Sequence, residues 1–209
     1  MFYRVGKLTG NVYWALLLRL ALAMLLFSLC RVGFYLFNTK FFPNMAADKF
    51  LVLMMGGLKF DLAAVLYVNL LFVVLMILPF GLRFRFGYQE VMKYIFFITN
   101  GLALALNVSD FIYYRFTLRR TTADVVRQFE NEQNITGLIF HFLVDYWYAV
   151  LFWIGLIVIM VKLYNLTSVR GPQVRNKVVY YVSTTLLVPV IAYLIVAGIR
   201  GGFRHSTRP

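Results

Sequence analysis

Long apolar runs, recurring about every forty residues, constrain this chain more than any other feature. A run of about 20 apolar residues crosses the hydrocarbon layer as a helix, because no water is there to satisfy the backbone otherwise. With 62% hydrophobic residues in 209, spans and short loops use up the chain, and no room remains for an aqueous domain of ordinary size. The reading is an all-α integral membrane protein with five transmembrane helices, at about 14–37, 50–78, 91–112, 137–163 and 178–199. The second run is longer than a bilayer needs and is expected to tilt or to extend beyond it. The fifth is expected to kink at Pro189. Gly56-Gly57 reads as a place of close helix contact.

Between the third and fourth spans, Thr121-Thr122 precedes Asp124 in the manner of a helix N-cap. Val125, Val126 and Phe129 then fall on one face, which predicts a short interfacial helix near residues 121–133. The formal charge of +13 would suggest nucleic acid in a soluble protein. Here the basic residues flank the spans, so the partners expected are membrane lipids, anionic phospholipid above all, and no nucleic acid. Cys30 is alone, which excludes a disulfide framework and a cysteine-based metal site. The first apolar run is too long for the core of a cleavable signal and lacks a small-x-small cleavage site.

Five spans put the two termini on opposite sides of the membrane. Loop lysines and arginines divide evenly between those sides, so the positive-inside rule gives a tie. Acidic residues gather on the C-terminal side and lean the balance towards an inside N-terminus. One pattern is independent of orientation. Arg31 lies late in span one, Lys59 and Asp61 early in span two, Asn107 and Asp110 late in span three, and His141 and Asp145 early in span four. With alternating helix direction, all of them occupy the half-membrane nearest the C-terminus, with Arg115 at its boundary. Arg19, near the opposite face, is expected to snorkel. An ionised side chain deep in a bilayer costs at least about 2.5–3.5 kcal/mol, so these groups must pair or line a wet cavity.

Three readings stay open for this set: a structural network that fixes helix order, a lipid-headgroup pocket, or a proton or ion path. His141 and Asp145 share a helix face as two metal ligands would, but two ligands do not make a site, so no metal is assigned. No Gly-rich phosphate loop or nucleophile elbow occurs, so no catalytic residue is assigned either.

The run Ser109-Asp110-Phe111-Ile112-Tyr113-Tyr114-Arg115-Phe116, followed by Arg119-Arg120-Thr121-Thr122-Ala123-Asp124, resembles the third-span exit of the lipoteichoic acid synthase-like sulfatase family. Gly57-Leu58-Lys59-Phe60-Asp61 and Arg200-Gly201-Gly202-Phe203 are similar to that family too. Its members are bacterial membrane enzymes with five N-terminal spans and an extracytoplasmic catalytic domain of the alkaline phosphatase superfamily. The resemblance implies a parent phosphoglycerol transferase, sulfatase or phosphatase acting on cell-envelope glycolipids or glycans. It also implies a cytoplasmic N-terminus, location in the bacterial cytoplasmic membrane, and residues 200–209 as the start of a linker to a catalytic domain absent from this chain. A Thr or Ser nucleophile and a divalent metal, often manganese, belong to that domain, so no cofactor is carried over here. In this reading the chain is a membrane anchor that guides lipid substrate, and its partner is its own missing catalytic domain. A stand-alone small polytopic protein, a transporter subunit or scaffold, is the competing reading. The reading frame beyond Pro209 separates the two.

Overall fold

The computed structural model describes residues 8–43, 45–79, 81–119, 143–169 and 177–200. Its helices are α1 (Val12–Phe37), α2 (Ala47–Val68), α3 (Leu70–Ile77), α4 (Phe86–Thr117), α5 (Trp147–Tyr164) and α6 (Lys177–Arg200). Five of them, all but α3, are long and apolar enough to cross a membrane. The protein is therefore an all-α, multi-pass membrane protein. The only strands among the described residues are two of three residues each, β1 (Leu8–Gly10) and β2 (Thr167–Val169), paired in parallel with Leu8 opposite Thr167. This pairing ties the chain ahead of α1 to the chain leaving α5.

α1 is the central staff. It packs against α2, α3, α4 and α5, while α6 lies along α2. Contacts fix the helix directions: Arg19 of α1 meets Gln89 at the start of α4 and Thr167 just after α5. At the other end, Asn38 after α1 meets Phe111 late in α4, and Phe37 stacks on Tyr148 early in α5. We call the side where α1 begins the N-side and the opposite one the C-side. Leu26, Phe72, Phe96, Met76, Leu104 and Met160 fill the shared interior. Outward residues such as Leu102, Leu106, Val182 and Leu186 are exposed and apolar, as a lipid-facing surface requires.

Helix ends carry specific stops. Asn11 starts α1, its Oδ1 accepting the Tyr13 N–H at 3.2 Å. Asn38 ends it, its amide donating to the carbonyls of Phe34 at 3.0 Å and Phe111 at 3.1 Å. α4 closes on Leu118 in the left-handed region (φ 53°), whose N–H reaches the Tyr114 carbonyl at 2.9 Å.

Two expected boundaries change. The second span is divided: Asn69, with φ −95° and ψ 12°, separates α2 from α3, although its N–H still bonds the Val65 carbonyl at 3.0 Å and its own carbonyl accepts the Val73 N–H at 2.8 Å. The third span runs well past 91–112, to Phe86 and Thr117, because polar residues at both ends find partners and extend the helix out of the apolar layer. Of the fourth span, the described part is a helical stretch at 143–145, a turn at Tyr146 and α5 from Trp147. α6 continues as helix through Pro189. The interfacial helix expected near 121–133, the start of the fourth span, and the residues past Arg200 lie outside the described residues.

Candidate functional site

In the C-side half, Arg31 of α1 and Asp61 of α2 meet. Arg31 Nη2 donates to Asp61 Oδ1 at 2.6 Å and to the Gly57 carbonyl at 2.9 Å. The guanidinium lies directly on the backbone of α2. A Cβ added at Gly57 would stand 1.3 Å from Nη1 and 2.0 Å from Cζ, so only glycine admits this seat. Gly56 meets nothing within 4 Å. The Gly-Gly pair thus serves ion-pair geometry at one position, rather than helix–helix approach at both. The pair is not sealed: the side chains are 22% and 12% exposed, and Arg31 Nε and Asp61 Oδ2 have no hydrogen-bond partner.

The other predicted residues scatter around this pair. Lys59 stands two residues from Asp61, about 200° around the helix, and is exposed on the opposite face of α2. Asn107 turns back on its own helix, donating to the Ala103 carbonyl at 2.9 Å. Asp110 is buried one turn further along α4. Arg115 is exposed at the rim, where it donates to the Phe37 carbonyl at 2.7 Å and the Tyr148 hydroxyl at 3.1 Å. It thereby caps the C-terminus of α1, where a cation is favoured by the helix dipole. Asp145 is exposed just ahead of α5, and His141 lies outside the described residues. The structure therefore joins Arg31 to Asp61 and sets Lys59 and Arg115 apart from them. Between the pair and the rim lies an aromatic floor, in which Phe37 stacks on Phe111 and Tyr148 and Tyr114 stacks on Phe42.

Two polar constellations escape a reading of hydropathy. The first is at mid-depth, where Asn69 and Asn100, both fully buried, exchange amide hydrogen bonds at 3.0 and 2.7 Å. Each also donates to its own i−4 carbonyl, so every amide hydrogen is used. The signal was available: a single carboxamide inside an apolar run is a standard glue between membrane helices.

The second is on the N-side. Arg19 does not snorkel but is 3% exposed, its Nη1 donating to Gln89 Oε1 at 3.1 Å and its Cζ standing 4.2 Å from the Tyr164 ring centroid. Arg83, which reads in sequence as a turn residue, is 1% exposed. Gln89 links the two by donating to the Arg83 carbonyl at 2.7 Å. Cations here are held by carbonyls, an amide and aromatic faces, which replace the water that snorkelling would have supplied.

Among the described residues no group of three His, Cys, Asp or Glu converges, so no metal-binding set is assigned. What the arrangement offers chemically is cationic hydrogen-bond donation at two depths, suited to oxyanions. Comparisons with protein-family models, curated proteins and solved structures find nothing that matches this chain.

Proposed function

We propose that this chain is the membrane domain of a phosphoglycerol transferase- or sulfatase-like enzyme of the bacterial cell envelope. In this reading it anchors the enzyme in the cytoplasmic membrane with the N-terminus inside, and it guides an anionic lipid in the outer leaflet. The family resemblance supplies the enzyme class and the sidedness. The observation that carries the lipid role is the incompletely satisfied Arg31–Asp61 pair. A purely structural ion pair at this depth would be expected to use all its donors and acceptors, since each unmet one is costly. Arg31 Nε and Asp61 Oδ2 are instead buried without a hydrogen-bond partner, in a pair whose side chains are still partly exposed. A headgroup phosphate would accept from the guanidinium while its hydroxyls would donate to the carboxylate.

Native mass spectrometry of the detergent-purified chain, with bound lipids retained, tests this. Selective retention of an anionic lipid is expected in the wild type and is expected to fall in Arg31→Ala. Lys59→Ala, on the opposite face of α2, reports whether an exposed cation contributes. Lipid retention that is non-selective and unchanged in both variants would reduce the pair to helix glue and sink the lipid role.

A further inference from the structure

The turn joining α3 to α4 holds a buried cation that has no ion-pair partner among the described residues. Arg83 Nη1 donates to the carbonyls of Ile77 at 3.2 Å and Met76 at 3.5 Å, capping α3. The end of that helix offers at most roughly half a negative charge. Nη2 donates to the Tyr180 hydroxyl of α6. The rings of Tyr13, Phe84 and Tyr180 stand 5.6, 5.2 and 5.3 Å from Cζ. Every one of these partners is neutral.

Two donors in this nest are left over. Arg83 Nε is buried with no hydrogen-bond partner, and so is the hydroxyl of Tyr13. The Tyr180 hydroxyl accepts from Arg83 and keeps its own proton to donate. Donors therefore outnumber acceptors around a guanidinium that is 1% exposed. An uncompensated charge in such a place is strongly disfavoured, and an oxyanion with several acceptor oxygens relieves the charge and the idle donors together. The planar guanidinium fork fits a phosphate in particular.

We propose that Tyr13, Arg83 and Tyr180 form an N-side phosphate site. Its ligand is a phosphate group, carried either by a phospholipid headgroup of that leaflet or by free phosphate. Arg83 sits in the turn between two spans, at the N-side end of the bundle. The site faces the leaflet opposite the Arg31–Asp61 pair and does not rest on it.

The test is melting of the detergent-purified chain, titrated separately with inorganic phosphate, with dioctanoylphosphatidylglycerol, and with dioctanoylglycerol as a phosphate-free control. Binding to the folded form raises the melting temperature by mass action. The wild type is expected to respond to at least one phosphate carrier and not to dioctanoylglycerol. A response to the lipid alone identifies a headgroup ligand, and a response to inorganic phosphate shows that the free anion suffices. Tyr13→Phe keeps the ring and is expected to keep the unliganded melting temperature, yet to weaken apparent affinity about tenfold. Arg83→Gln should abolish the response but also removes a helix cap, so Tyr13→Phe decides. Arg31→Ala is expected to leave the Tyr13-dependent part of the response intact, which separates this site from the C-side one. No response to either carrier, or an equal response in Tyr13→Phe, overturns the proposal.

Discussion

At the scale of single residues, the sharpest dependence is that of Arg31 on a missing side chain. Its guanidinium occupies the space a Cβ of residue 57 would need. Gly57→Ala is therefore expected to unseat Arg31 from Asp61 and to cost about 2–3 kcal/mol, somewhat less than full loss of a buried pair because this one is partly exposed. Gly56→Ala, with open space around it, should be neutral or slightly stabilising, since alanine favours helix. Unfolding of both variants in a denaturing detergent series checks the contrast, and equal losses would contradict the seat. Arg31 and Asp61 were legible in the sequence as charges that hydrocarbon penalises. Gly57 was not, because its role exists only relative to a side chain on another helix. Nor does hydropathy tell an exposed Lys59 from a buried Asp61 two positions away; that needs the rotation of α2.

At the scale of elements, span two shows what a hydropathy trace averages away. The run 50–78 reads as continuous apolar sequence, and one amide within it divides α2 from α3. Asn69 binds Asn100 of α4 in both directions, so removal of either leaves a buried amide with an idle donor and acceptor. Asn100→Leu is expected to destabilise by about 1–2 kcal/mol. In a cycle with Asn69→Leu, the coupling should fall within about 0.6–1.7 kcal/mol, the range seen for hydrogen bonds between membrane helices. Additive losses would mean that the two amides act through their own helices alone. Helix number and approximate span positions were legible because apolar length is a strong signal. The break was not, since asparagine is tolerated in many membrane helices and only its partner makes it a joint.

At the scale of the whole molecule, sidedness is the property the sequence left tied. An even count includes Arg83 as an N-side loop charge, but it is buried and engaged with α3 and α6, and leaving it out tips the balance by one towards the C-side, against the orientation that the resemblance implies. The positive-inside rule concerns charges that stay in water, so such residues should not be weighed with the others. Single cysteines at two exposed positions, Lys40→Cys between α1 and α2 and Leu82→Cys between α3 and α4, can be introduced with Cys30 replaced by alanine. Impermeant thiol reagents should reach position 40 only from outside intact cells and position 82 only from inside. Labelling of both from one side would break the five-span topology, and the reverse pattern would invert it. The Arg83–Tyr180 contact also bears on biogenesis. Its partners are 97 residues apart, so the arginine leaves the ribosome long before the tyrosine exists. Through that interval the turn holds the helix end it caps and the rings nearer in sequence, and α6, whose main contact among the described residues is α2, is not yet made. Closure of this bundle thus waits on α6, made after the other described helices, which docks against a cation already seated in its turn.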